Sequence, residues 1–338
     1  MTANRRILTT ATALSGLALL TACGGGGTTT APPNPQSFSG PNDSVATRIS
    51  NARTSDQATA FTATTVGVDF IPGGKVESAE PEEITVKIYR TGPNAVPTVE
   101  LTRGDDVMTF GPEHAPDGEN YRVPRSAEDA QDNRNLWMWA GYPIEHANGY
   151  EVHDNGEREA QSRKHLVPLG FWINTEEADP LRNAVIGLHT RPADMPTHSI
   201  PAFYEGWAFL ESWQADNGAN HSRFRGELRL EADFDGGTIS GTLHDVHEEV
   251  IRGDDESGYQ PREGLAFVIP ETAIDGNGFA GTLEASNGCV GCPQDMSATV
   301  NGGFYGPYAK ESGGTIQGGF TRDGVEEVAV GIFYSDQR

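Results

Sequence analysis

The sequence predicts an all-β chain, with a β-rich N-terminal domain followed by a C-terminal eight-stranded antiparallel up-and-down β-barrel. Three observations carry this. Beyond Pro201 an apolar residue, Gly and another apolar residue recur at alternate positions six times: Tyr204-x-Gly206-x-Ala208, Phe224-x-Gly226-x-Leu228, Ile239-x-Gly241-x-Leu243, Phe279-x-Gly281-x-Leu283, Val300-x-Gly302-x-Phe304 and Ile316-x-Gly318-x-Phe320. Tight-turn sequences, Asp235-Gly236-Gly237, Asp275-Gly276 and Arg322-Asp323-Gly324, separate neighbouring units. No long stretch has the 3.6-residue apolar period of an amphipathic helix.

The chain opens with Arg5 and Arg6, an apolar run from Ile7 to Leu20, and Leu20-Thr21-Ala22-Cys23. This is the layout of a secretory signal, and the run is too short to span a bilayer comfortably. Residues 1–22 are therefore read as a signal peptide. Leu-Thr-Ala-Cys resembles the bacterial lipobox, which implies acylation of the Cys23 sulfur, cleavage before it, and a membrane partner reached through lipid alone. In Gram-negative lipoproteins an Asp after the lipidated Cys favours the inner membrane; Gly24 stands there, which implies the outer membrane. Residues 23–41, Gly-, Thr- and Pro-rich, lack the apolar content of a core and read as a flexible tether.

Residues 42–198 are expected to form the first domain. Val45, Ile49 and Ala52 share one face of a short helix. Ala60 to Phe70, Ile84 to Arg90, Val99 to Arg103, Leu136 to Ala140, Val167 to Trp172 and Val185 to Thr190 carry the β-branched and aromatic enrichment of strands. In the second domain, residues 199–338, alternation puts each Gly and its apolar neighbours on one face, leaving room for the bending that a small barrel needs. Leu265 to Ile269 and Glu327 to Tyr334 complete eight strands; an open sandwich of the same strands is the alternative. The loops within Glu211 to His221, Val246 to Glu263 and Ala285 to Met296 should gather at one end.

The formal charge is −24, with only four Lys, and becomes about −26 once residues 1–22 are removed. That balance excludes nucleic acid as a partner. Cys289 and Cys292 are the cysteines besides Cys23; in an exported chain they are expected to form a small structural disulfide, a redox or metal role being the alternative.

At this point the chain resembles the transferrin-binding-protein-B-like surface lipoproteins, whose barrel is also similar to that of factor H-binding protein. Thr190-Arg191-Pro192-Ala193-Asp194-Met195-Pro196 with Phe203-Tyr204-Glu205-Gly206 resembles the family's junction and first barrel strand. The run from Gly303 to Gly314 (Gly-Phe-Tyr-Gly-Pro-Tyr-Ala-Lys-Glu-Ser-Gly-Gly) is similar to its most characteristic loop, and Val330-Gly331-Ile332-Phe333 to its closing strand. The resemblance implies a handle-like first domain, display on the cell exterior by a Slam-type translocator, and binding of a host or environmental protein or an iron or haem carrier, with a TonB-dependent receptor as a further partner. The best-known members carry two handle-plus-barrel lobes; this chain has length for one, so transferrin itself is not inherited as the ligand.

A search for chemistry finds no Gly-x-Ser-x-Gly elbow, His-Glu-x-x-His, Walker loop or dinucleotide fingerprint, so no enzyme, cofactor or metal is expected. His244 and His247, followed by Glu248 and Glu249, form the richest ligand cluster, but on regular extended chain their rings would point to opposite faces. Trp137 and Trp139 project together and are the aromatic binding candidates. The expected function is capture of a macromolecule or nutrient carrier without turnover; a structural or adhesive envelope role is the alternative, and an enzyme comes last.

Overall fold

The computed structural model describes residues 37, 39, 43–92, 95–114, 120–124, 133–138, 150–152, 158–160, 165–173, 179–219, 221–252, 255–256, 258–286 and 292–338. Among them one α-helix forms, α1 (Val45–Asn51), capped by the Ser44 hydroxyl, which accepts the Thr47 N–H at 3.0 Å. As the spacing predicts, Val45, Ile49 and Ala52 are all buried.

The N-terminal lobe consists of β1 (Ala60–Ile71), β2 (Lys75–Ser78), β3 (Glu82–Tyr89), β4 (Thr98–Arg103), β5 (Asp106–Phe110), β6 (Asn120–Pro124), β7 (Asn133–Met138), β8 (Tyr150–Val152), β9 (Arg158–Ala160), β10 (Leu166–Ile173) and β11 (Asp179–Gly187). Nine of these form one antiparallel sheet in the order β5-β4-β3-β1-β11-β10-β7-β6, with β2 added to β1; β8 and β9 pair separately. β1 pairs with β3 through residues 60–65 and with β11 through residues 66–70. The sheet therefore curls about β1, and Phe61, Val86, Leu101, Leu136, Phe171 and Ile186 meet inside it with Val45 and Ile49 of α1. The short strands β2, β5, β6, β8 and β9 were not legible in the sequence.

The second lobe is built from β12 (Ala202–Gln214), β13 (His221–Asp233), β14 (Thr238–Arg252), β15 (Asp255–Glu256), β16 (Gln260–Pro261), β17 (Phe267–Asp275), β18 (Gly278–Ala285), β19 (Gln294–Tyr305), β20 (Glu311–Arg322) and β21 (Val325–Gln337). Eight of them run as a meander, β15 and β16 being two-residue additions to β14. Pairing of β12 with β21, from Tyr204 opposite Gln337 to Gln214 opposite Glu327, closes the ring and rules out the open sandwich. Both apolar members of all six repeated units lie in the barrel core. The glycine between them has a steric cause: a Cβ on Gly206 would collide with the Tyr334 carbonyl, and one on Gly302 with the Phe279 ring.

The two sheets pack face to face within one compact unit. Val68, Val76 and Leu181 of the first lobe bury against Trp213 and Val330 of the second. Leu166 and Val185 bury against Tyr305, Ile332 and Tyr334. Polar ties cross the same seam: the Gln317 amide donates to the carbonyls of Gly67 and Ala79 at 3.0 and 2.6 Å, and Gly306 N–H donates to Leu188 at 2.8 Å. The two lobes thus share their packing surfaces.

Candidate binding face

A closed barrel can hold a ligand inside or present its outer wall, so the interior is decided first. At the end where β12, β14, β18 and β20 finish, inward-facing polar side chains fill the lumen. Glu248, 3% exposed, is ion-paired with Arg322 and, at 3.0 Å, with Arg262; Arg322 also reaches Glu327 at 3.1 Å. The Ser212 hydroxyl donates to Glu327 at 2.6 Å, and the Arg322 guanidinium lies over Phe224 and Phe320, 5.1 and 5.4 Å from the ring centroids. Burial pushes the Glu327 carboxyl above its usual range against the pull of Arg322. This end of the lumen is closed by an ionic plug.

On the outer wall the register aligns side chains in rows across β14, β13, β12 and β21. Glu249, Arg223, Glu211 and Val330 form the first row, His247, Arg225, Phe209 and Ile332 the second, and His244, Glu227, Trp207 and Tyr334 the third. Their apolar ends meet the N-terminal lobe, and their charged ends lie on the outer side of the barrel wall, where Glu249 is itself covered and 7% exposed. Arg223 bonds Glu211 at 3.0 Å and Glu249 at 3.4 Å, and His221, stacked on Trp213 at 4.6 Å, lies 3.5 Å from Glu211. Burial alone would raise the Glu211 carboxyl, but His221 and Arg223 outweigh it and hold the group below its ordinary value. Arg225 stands over the Tyr259 ring at 4.2 Å, anchoring the segment after β15 to this wall.

The histidine expectation needs correcting. Asp245 adopts φ 48°, and pairing slips between Arg225 and Glu227, so β14 carries a bulge that spends one residue without advancing the register. Leu243 and Val246, three apart, both enter the core, and His244 and His247 consequently share the outer face. His244 Nδ1 lies 3.8 Å from Glu227, and His247 Nδ1 lies 3.0 Å from the Asp245 carbonyl oxygen. Among the described residues no three His, Cys, Asp or Glu side chains converge as a metal site requires. Trp137 belongs to β7 but its side chain, like Trp139, Cys23 and Cys289, lies outside the described residues. Cys292 is buried in the barrel core and disulfide-bonded. Sequence reading missed the Glu211–Arg223–Glu249 ladder, whose members are far apart in sequence and gain meaning only through register.

Residues 195–335, from just before β12 into β21, match the family profile described as the C-lobe and N-lobe β-barrels of Tf-binding protein B. The second lobe is similar to the barrels of transferrin-binding protein B. Solved structures similar to the chain include a double mutant of transferrin-binding protein B from Haemophilus parasuis (16% identity, 76% of this chain, 54% of that one, TM-score 0.36) and the isotype 1 transferrin-binding protein B of serogroup B Neisseria meningitidis (19%, 78%, 56%, 0.34). Intact Ap-TbpB, with its N and C lobes, is similar at 12% identity over 85% of this chain and 77% of that one, with a TM-score of 0.34. The chain thus spans about half the length of the H. parasuis protein. At these scores the likenesses add nothing to the profile match. No curated protein matches the chain. The barrel that carries this similarity has a salt-bridged plug at one end and its charged rows on the outer wall.

Proposed function

We propose that this chain is a lipid-anchored outer-membrane protein, facing the cell exterior, that binds an iron- or haem-carrying protein through the charged outer wall of its barrel and works without turnover. The profile match over residues 195–335 is the observation that supports it. A plugged lumen and an outward ladder of alternating charge suit a protein-sized ligand, since charged rims steer association and set register. In the same reading Cys23 carries the lipid, the residues between Cys23 and Ser37 form the leash, and Cys289 is the other half of the disulfide on Cys292, stapling the loop between β18 and β19.

Binding of the purified mature chain to immobilised holo-transferrin and to haemoglobin tests this reading. Saturable binding to one of them is expected, weakened at least about tenfold by Arg225→Glu combined with His247→Glu. Absence of saturable binding to both, or binding indifferent to that pair of changes, contradicts it.

A further inference from the structure

Where the apolar ends of the first two rows meet the N-terminal lobe, the lobes leave a cleft of about 380 Å³. Its walls are Trp172 and Asn183 of the first lobe and Phe209, Tyr259, Val330 and Ile332 around the second. Trp172 is held by stacking on Phe70 at 5.8 Å yet stays 37% exposed. The volume falls within the range of small-molecule sites, and mostly apolar walls with few polar groups are their usual composition.

One polar group is out of place. Asn183 is 2% exposed, and its side-chain oxygen has no hydrogen-bond partner. A buried acceptor left unpaired is costly, so the position calls for a donor that the chain does not supply. The charged groups at the cleft are engaged: Arg223 serves Glu211 and Glu249, and Glu211 is shared between Arg223 and His221. Two carboxylates beside one guanidinium disfavour an anion, while their mutual satisfaction leaves no demand for a cation.

We propose that this cleft binds a small uncharged aromatic molecule with a single N–H or O–H donor, which bonds the Asn183 oxygen while the ring lies among Trp172, Phe209, Val330 and Ile332. A water could satisfy Asn183 but would leave most of an apolar space unfilled. The inference stands apart from carrier binding, and its test uses no carrier.

Fluorescence titration of the purified mature chain with N-phenyl-1-naphthylamine, an uncharged aromatic with one N–H, reads the site directly. Saturable one-to-one binding is expected, and the N-methylated analogue, which lacks the donor, should bind about tenfold more weakly. Asn183→Leu should remove that difference, and Trp172→Ala should weaken both ligands while a cooperative urea transition shows that the fold is kept. Non-saturable binding, equal affinity for the two naphthylamines, or affinities untouched by Trp172→Ala would overturn the proposal.

Discussion

Glu311 ties the lobes together with one carboxylate. It is 2% exposed and accepts the backbone N–H groups of His165 and Leu166 at 3.0 and 3.1 Å, bonds that cross the seam between residues 146 and 145 positions apart. Replacing it by Ala strands those donors, and urea unfolding should show a loss of about 2–3 kcal/mol, with Glu311→Gln recovering part. Around it, Tyr204 donates its hydroxyl to the Ala309 carbonyl at 2.6 Å and Thr190 donates to the Gly306 carbonyl at 2.7 Å. The run from Gly303 to Gly314 was recognisable in the sequence, but its task as an inter-lobe latch was not, because every partner lies far away in the chain. Gly206 shows the opposite case. Its place in the repeat announced a packing need, and Gly206→Ala, which drives a methyl into the Tyr334 carbonyl, should cost about 1–3 kcal/mol in the same assay.

At the scale of elements, β14 carries most of what sequence reasoning could not supply. Its existence followed from Ile239-x-Gly241-x-Leu243, yet the bulge at Asp245 reverses the expected facing of His244 and His247, since a one-residue slip moves every later side chain to the other face. Beyond the bulge Glu248 points inward to Arg322 and Arg262. Removing Arg322 leaves Glu248 and Glu327 buried without their shared cation. Arg322→Met should therefore lower stability by about 3–5 kcal/mol in denaturant titration, and adding Glu248→Leu with Glu327→Leu should restore most of it. If the triple variant is no better than Arg322→Met, the plug is not held by charge compensation.

Over the whole molecule, legibility divides along the lobes. The barrel was readable because six of its eight strands repeat one pattern of side-chain alternation and glycine spacing, whereas the first lobe has no repeat, and its short strands β2, β5 and β6 are fixed by neighbours rather than by their own pattern. The seam contains a titratable group. His189 bridges Ser37 and Tyr305 by backbone pairing, its ring lies 4.3 Å from that of Tyr305, and burial lowers its pKa from 6.5 to about 4. The neutral ring is the folded form, so its contribution is complete above pH 6.5 and fades as the pH falls towards 4. Between pH 7.5 and 4.5 the wild type should lose on the order of 2 kcal/mol more than His189→Phe in urea unfolding.

Joined through this seam, the lobes form one unit, and the proposed function sets that unit on a lipid leash at the cell surface with a carrier bound to it. Binding of fluorescent holo-transferrin or haemoglobin to intact cells producing wild-type or Cys23→Ser protein tests that most directly. Saturable labelling of wild-type cells that disappears with Cys23→Ser is the predicted result; equal labelling of both, or none with either carrier, contradicts it.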